Sequence, residues 1–132
     1  MSRGQSRSQT QAGNVKRVTL ETVRQLALAL PRVQEAVSNG SPVFRVKGKL
    51  MARLDQNGES LLIKIDYLKR DILTHAEPET FYVTDFYRCH PMMFVRLSTI
   101  DRKTLGDLLE QAWRLTAPKR LMEAYDSKRE GL

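Results

Sequence analysis

"RVQEAVSNGSPVFRVKGKLMARLDQNGESLLIKID", Arg32 to Asp66, is the stretch that decides the fold. Asn39-Gly40 and Asn57-Gly58 are hairpin signals, because both residue types accept the left-handed backbone of a tight turn. Gly48 sits where a third turn is needed. Between the turns the apolar residues alternate. Phe44 and Val46 alternate with Arg45 and Lys47; Leu50, Ala52 and Leu54 with Met51 and Arg53; Leu61, Ile63 and Ile65 with Leu62 and Lys64. Strict period-two alternation places one set on a covered face and the other on the opposite face of an antiparallel sheet.

Helical patterns flank this block. In "VTLETVRQLALALP", Thr19 suits an N-cap, and Leu20, Val23, Leu26, Ala27 and Leu30 recur at three and four. Pro31 ends that helix, since the residue before proline avoids helical geometry. Asp66 can cap a second helix, "YLKRDILTHA", expected to bury Leu68, Ile72 and Leu73. "FYVTDFYRCHP" reads as a loop with a short strand at Phe81–Val83, and "MMFVRL" as a strand with Met93, Val95 and Leu97 inward. Asp101 caps a third helix with the stripe Leu105, Leu108, Leu109, Ala112 and Leu115. Pro118 opens a last helix with Leu121, Met122 and Tyr125 on one side. The order α-β-β-β-β-α-β-β-α-α predicts an α+β fold: an antiparallel sheet of about five strands with helices on one face.

Composition bounds the rest. At 132 residues, 41% hydrophobic and 28% charged, the chain is expected to form one domain with its own core. Residues 1–17 carry Arg3, Arg7, Lys16 and Arg17, no acid and a single valine, which predicts a flexible basic tail. The domain is expected over 18–126, with a short C-terminal tail at 127–132. One cysteine makes no internal disulfide. No apolar run suits a membrane span or a signal peptide, so the cytoplasm is the expected compartment and no membrane partner is expected.

No phosphate-binding glycine loop and no nucleophile elbow occurs. Cys89 and His90 are adjacent, so on a strand they point to opposite faces, and no orienting partner for His90 is visible. Zinc needs four ligands at suitable spacing, and none is found. The reading is therefore a non-enzymatic domain with no catalytic residue, metal or cofactor.

The informative constellation lies on the sheet face away from the helices. There the alternation places Arg45, Lys47, Met51, Arg53, Leu62, Lys64, Phe94 and Arg96, with no acid. The five cations are candidates for phosphate contacts, with Phe94 packing on a sugar or base. An apolar and basic face suits a protein partner or a second copy as well. A second basic group, Arg114, Lys119 and Arg120, lies beside Trp113. Lys119 and Arg120 fall in the first turn of the last helix, where an anion would offset the helix dipole.

From Val18 to Leu121 the chain resembles the MmcQ/YjbR-like proteins. The resemblance rests on "LALALP", Glu35, the Ser38, Gly40, Pro42 and Phe44 string, "VKGKLMARL", "TDFY" before "VRL", and "LLEQAWRLTAPKRL". It implies a compact α+β domain resembling a double-wing phage transcription factor, and by that likeness DNA binding. It carries over no catalytic residue. Asn39 stands where the family usually has Trp, Phe86 where relatives with this segment have His, and His90 where they often have an aromatic residue.

Overall fold

The computed structural model describes residues 18–130. The tail expected at 1–17 lies outside them. Helix α1 (Leu20–Leu28) starts at Thr19, whose hydroxyl accepts from the Thr22 backbone N–H while the Thr22 hydroxyl accepts from the Thr19 N–H. This reciprocal cap satisfies two of the orphan donors at the helix start. Strands β1 (Val33–Ser38), β2 (Ser41–Val46), β3 (Lys49–Leu54) and β4 (Ser60–Lys64) follow as an antiparallel meander. Then come α2 (Tyr67–Ala76), β5 (Phe81–Tyr82), a 3-10 turn at Asp85–Tyr87, β6 (Met92–Arg96), α3 (Arg102–Thr116) and α4 (Lys119–Glu130). The element order is the one read from the sequence. Six strands form one antiparallel sheet, ordered β1-β2-β3-β4-β6-β5. Helix α4 runs to Glu130, so residues 127–130 are helical rather than a tail.

The turns are as the glycines require. Asn39 and Gly40 have φ of 52° and 80°, and Lys47 and Gly48 have 51° and 83°. Both φ values are positive, as a two-residue turn matched to the strand twist demands. Lys47 is therefore a turn residue, not the strand residue that the alternation suggested.

The main core lies on the helix side. It contains Phe44, Ile63, Met93 and Val95 from the strands and Val23, Leu105, Leu109 and Trp113 from the helices. Asp66 and Asp101 cap α2 and α3 by accepting from the backbone N–H of Lys69 and Thr104. Trp113 is fully buried and meets Tyr125 of α4 edge-on, with centroids 4.9 Å apart.

Three local expectations are corrected. The β2–β3 register slips between Phe44 and Arg45: Phe44 faces Ala52, whereas Arg45 faces Leu50. This bulge skips Met51, which turns into the core and is fully buried, and moves Leu50 to the other face. In α2, Leu68 and Ile72 are exposed and only Leu73 packs on the core, while Arg70 is the buried residue. In α3, Leu115 is exposed, and Trp113 and Thr116 are buried with the rest of the stripe.

Candidate functional site

The outer sheet face is built from side chains that alternate with the core. Register places Arg53 opposite both Val43 and Leu62, Leu62 opposite Phe94, and Phe94 opposite Tyr82. One step along, Arg45 lies opposite Gln34 and Leu50, and Lys64 lies opposite Met92. Leu50 and Lys64 line the same shallow cavity, about 300 Å³, together with Tyr87, His90 and Met92. Arg45, Arg53 and Lys64 thus gather around Leu50. The bulge makes this grouping, because without it Leu50 would face the helices.

The face is not bare. Leu62, Met92 and Phe94 form a second small core, with Leu50, Tyr82 and Tyr87 packed against it. Phe94 is only 6% exposed. It stacks on Tyr82 at 5.0 Å and meets Tyr87 edge-on at 5.6 Å. Its expected role on a sugar or base is therefore corrected: Phe94 points outward, but it is roofed by the segment from Thr84 to Pro91. The aromatic ring that this region does present is Phe86, 72% exposed and stacked on His90 at 5.5 Å.

The roof is held by a residue that the sequence reading passed over. Arg70, 7% exposed, reaches from α2 and donates to the carbonyls of Tyr87, Arg88, His90 and Met92 at 3.2, 2.9, 2.7 and 3.1 Å. An irregular segment leaves carbonyls without ladder partners, and a planar guanidinium with five donors can serve several at once. Further ties close the edges. Arg53 donates to the Tyr87 hydroxyl at 2.8 Å, and the Tyr82 hydroxyl donates to Ser60 at 2.8 Å. Arg96 lies over the Tyr82 ring at 4.3 Å and donates to the carbonyls of Pro78 and Glu79. It sits opposite Ser60, apart from the group around Leu50.

Charge is segregated between the two sides. Ion pairs among the described residues engage Arg24, Arg88, Lys103, Arg114, Lys119 and Arg129. None engages Arg45, Lys47, Arg53, Lys64, Arg96 or Arg120. From Ala36 to Leu54 the chain carries Arg45, Lys47, Lys49 and Arg53 and no acid. Arg114 is set apart from Lys119 and Arg120: Asp126 and Glu110 bind its guanidinium and push its pKa further up, while Arg114 holds the Asp126 carboxyl below its usual range. Lys119 makes only a long contact with Glu123, at 3.9 Å and well exposed.

Cys89 is exposed, and His90 is used for packing and for its backbone, whose carbonyl accepts from Arg70 and from the Met92 N–H. Among the described residues, no three His, Cys, Asp or Glu side chains converge as metal ligands would, and no helix is long and apolar enough to cross a membrane.

Comparison with known proteins gives consistent matches. The YjbR family matches residues 28–115, more than half of the chain. Uncharacterized protein Rv2570 of Mycobacterium tuberculosis and Uncharacterized protein Mb2600 of Mycobacterium bovis are each 35% identical over 49 residues, covering 37% of this chain and 38% of theirs. The chain thus spans well under half the length of the curated relatives it matches. The crystal structure of Deinococcus radiodurans protein DR2400, a DUF419 domain, superposes with a TM-score of 0.65 at 24% identity, over 74% of this chain and 78% of that one. That likeness concerns the fold alone.

Proposed function

The chain belongs to the YjbR family, and we propose that it binds nucleic acid through phosphate contacts on the outer sheet face and the β2–β3 hairpin. The observation that carries this reading is the unpaired basic group: Arg45, Arg53 and Lys64 around Leu50, continued by Lys47 at the hairpin tip, with no carboxylate among them. A solvated face that served only solubility would intersperse both signs. Cations spread along strands follow a phosphate backbone, and they give affinity without reading sequence. Arg96 contributes less, because its guanidinium is already engaged by Tyr82 and two carbonyls. Phe86 replaces Phe94 as the aromatic contact, since it stands clear at the rim of the roof. Lys119 and Arg120 lie on α4, and Arg120 lines a cavity with Lys47 at the hairpin tip rather than the one around Leu50.

Duplex titrations at two salt concentrations test the reading. Binding at low salt that weakens by orders of magnitude on raising the salt is expected; no binding at low salt would end it. A second reading, self-association, rests on exposed Leu68 and Ile72, one helical turn apart on α2, and on exposed Leu115. Sedimentation across protein concentrations separates the two, because a mass independent of concentration is expected if α2 is simply solvated.

A further inference from the structure

At the opposite end of the β2–β3 hairpin from Arg53, the hairpin tip meets α4. A cavity of about 250 Å³ lies there, lined by Arg32, Lys47, Pro118, Arg120, Leu121 and Ala124. Its floor is apolar. Its rim carries three cations from three separate parts of the chain, and no acid lines it. None of the three has an ion pair among the described residues, so each costs the others some repulsion. The cavity also borders the first turn of α4, the positive end of that helix dipole.

Backbone strain converges on the same place. Among the described residues, three other than glycine have positive φ: Arg32 at 63°, Asn39 at 52° and Lys47 at 51°. Asparagine tolerates this conformation, whereas arginine and lysine rarely adopt it. Both of the strained cations line this one cavity. The Arg32 backbone is held from inside, because buried Trp113 donates its indole N–H to the Pro31 carbonyl at 2.9 Å. The turn and the Trp113 bond account for the backbone geometry but not for the choice of arginine and lysine there, and neither is kept for packing, since both side chains are exposed.

We infer that this cavity binds a phosphate monoester attached to a flat body, the chemistry of a nucleoside monophosphate. The three cations and the helix end take the phosphate dianion, and the body lies on Pro118, Leu121 and Ala124. No hydrogen-bonding side chain lies on the floor, so the site does not distinguish one base from another. The phosphate arrives either on a free nucleotide or on the end of a nucleic acid strand. The inference shares Lys47 with the sheet-face reading but otherwise uses Arg32 and Arg120, so Arg53→Ala separates the failure of one from the failure of the other.

Calorimetric titration of the full chain with AMP and with adenosine, in low-salt buffer free of phosphate, tests it. AMP is expected to bind at least tenfold more tightly than adenosine. The double variant Arg32→Asn with Lys47→Asn removes two charges while keeping a residue type suited to the backbone. It is expected to lose at least tenfold in AMP affinity with an unfolding midpoint unchanged or raised. Arg120→Ala is expected to weaken AMP several-fold, and Arg53→Ala to leave it within twofold. A single strand with a 5′-phosphate that binds more tightly than its 5′-hydroxyl form, with the gain abolished in the double variant, identifies a strand end as the source. AMP binding without that gain identifies a free nucleotide. Equal affinity for AMP and adenosine, wild-type affinity in the double variant, or an equal loss in Arg53→Ala would overturn the inference.

Discussion

The two faces of the sheet are built from neighbouring residues on the same strands, yet they are covered in different ways. On one, Phe44, Ile63, Met93 and Val95 lie beneath helices. A helix satisfies its own backbone and presents an apolar stripe, so that face needs no polar partner. On the other, Leu62, Met92 and Phe94 lie beneath an irregular segment, which brings carbonyls that must be satisfied from elsewhere. Arg70 supplies the donors. The roof covers only part of the face, and the cations stand beside it. A basic surface next to a tethered roof follows from covering a sheet with a loop instead of a helix.

Substitutions can break this contrast, and their effects fall in order. Phe44→Ala on the helix side is expected to cost about 4 kcal/mol in urea unfolding, through lost burial and a cavity in a packed core. Arg70→Met removes the tether and takes a donor from each of its four carbonyls, of which Tyr87 and His90 keep a backbone N–H; a cost of about 2 kcal/mol is expected. Its sharper signature is local: amide exchange should accelerate from Thr84 to Met92 while the strand core stays protected. Tyr87→Phe deletes the hydrogen bond from Arg53 and is expected to cost about 1 kcal/mol. If Arg70→Met instead accelerated exchange throughout the strand core, the two faces would be one cooperative unit and the contrast would fail.

Acid gives a smaller test. Hydrogen bonds from the Thr104 hydroxyl and backbone N–H hold the Asp101 carboxyl below its usual range. A depressed carboxyl pKa stabilises the fold above the unfolded-state value, and that contribution is lost as pH falls through the folded value. The first turn of α3 should therefore loosen in the acid range below ordinary carboxylate titration. The Arg70 tether, made to carbonyls, has no titrating acceptor. Exchange measured along an acid series should show α3 affected before the roof, and Asp101→Asn should remove that order.

Much of the helix side was legible in the sequence. Asn39-Gly40 marked a turn because few other pairs accept its geometry, and Thr19, Asp66 and Asp101 marked helix starts because their side chains satisfy orphan N–H groups. The alternation of Met93, Val95 and Leu97 gave the inward set of β6 and the residue just beyond it. The outer face was less legible. "LMA", Leu50 to Ala52, is a run of three apolar residues that fits either phase, so nothing local shows the bulge that buries Met51 and frees Leu50. Helix α2 has few apolar positions, and a stripe through Leu68 and Ile72 is as regular as the observed face through Arg70 and Leu73. That Phe94 is roofed depends on Tyr82 and Tyr87 folding back over it, a contact between distant parts of the chain with no short-range signal.

The central claim is that the unroofed cations form a phosphate-binding surface. It is tested most directly by the salt dependence of duplex binding for the wild type and for Arg45→Ala with Arg53→Ala. Each phosphate contact contributes about 0.9 to the slope of log affinity against log salt. Losing two contacts should flatten the slope by about 1.8, with circular dichroism near the wild type and stability lower by only the roughly 1 kcal/mol of the lost Arg53–Tyr87 hydrogen bond. An unchanged slope in the double variant, with binding intact, would contradict the claim and place any nucleic acid elsewhere on the molecule.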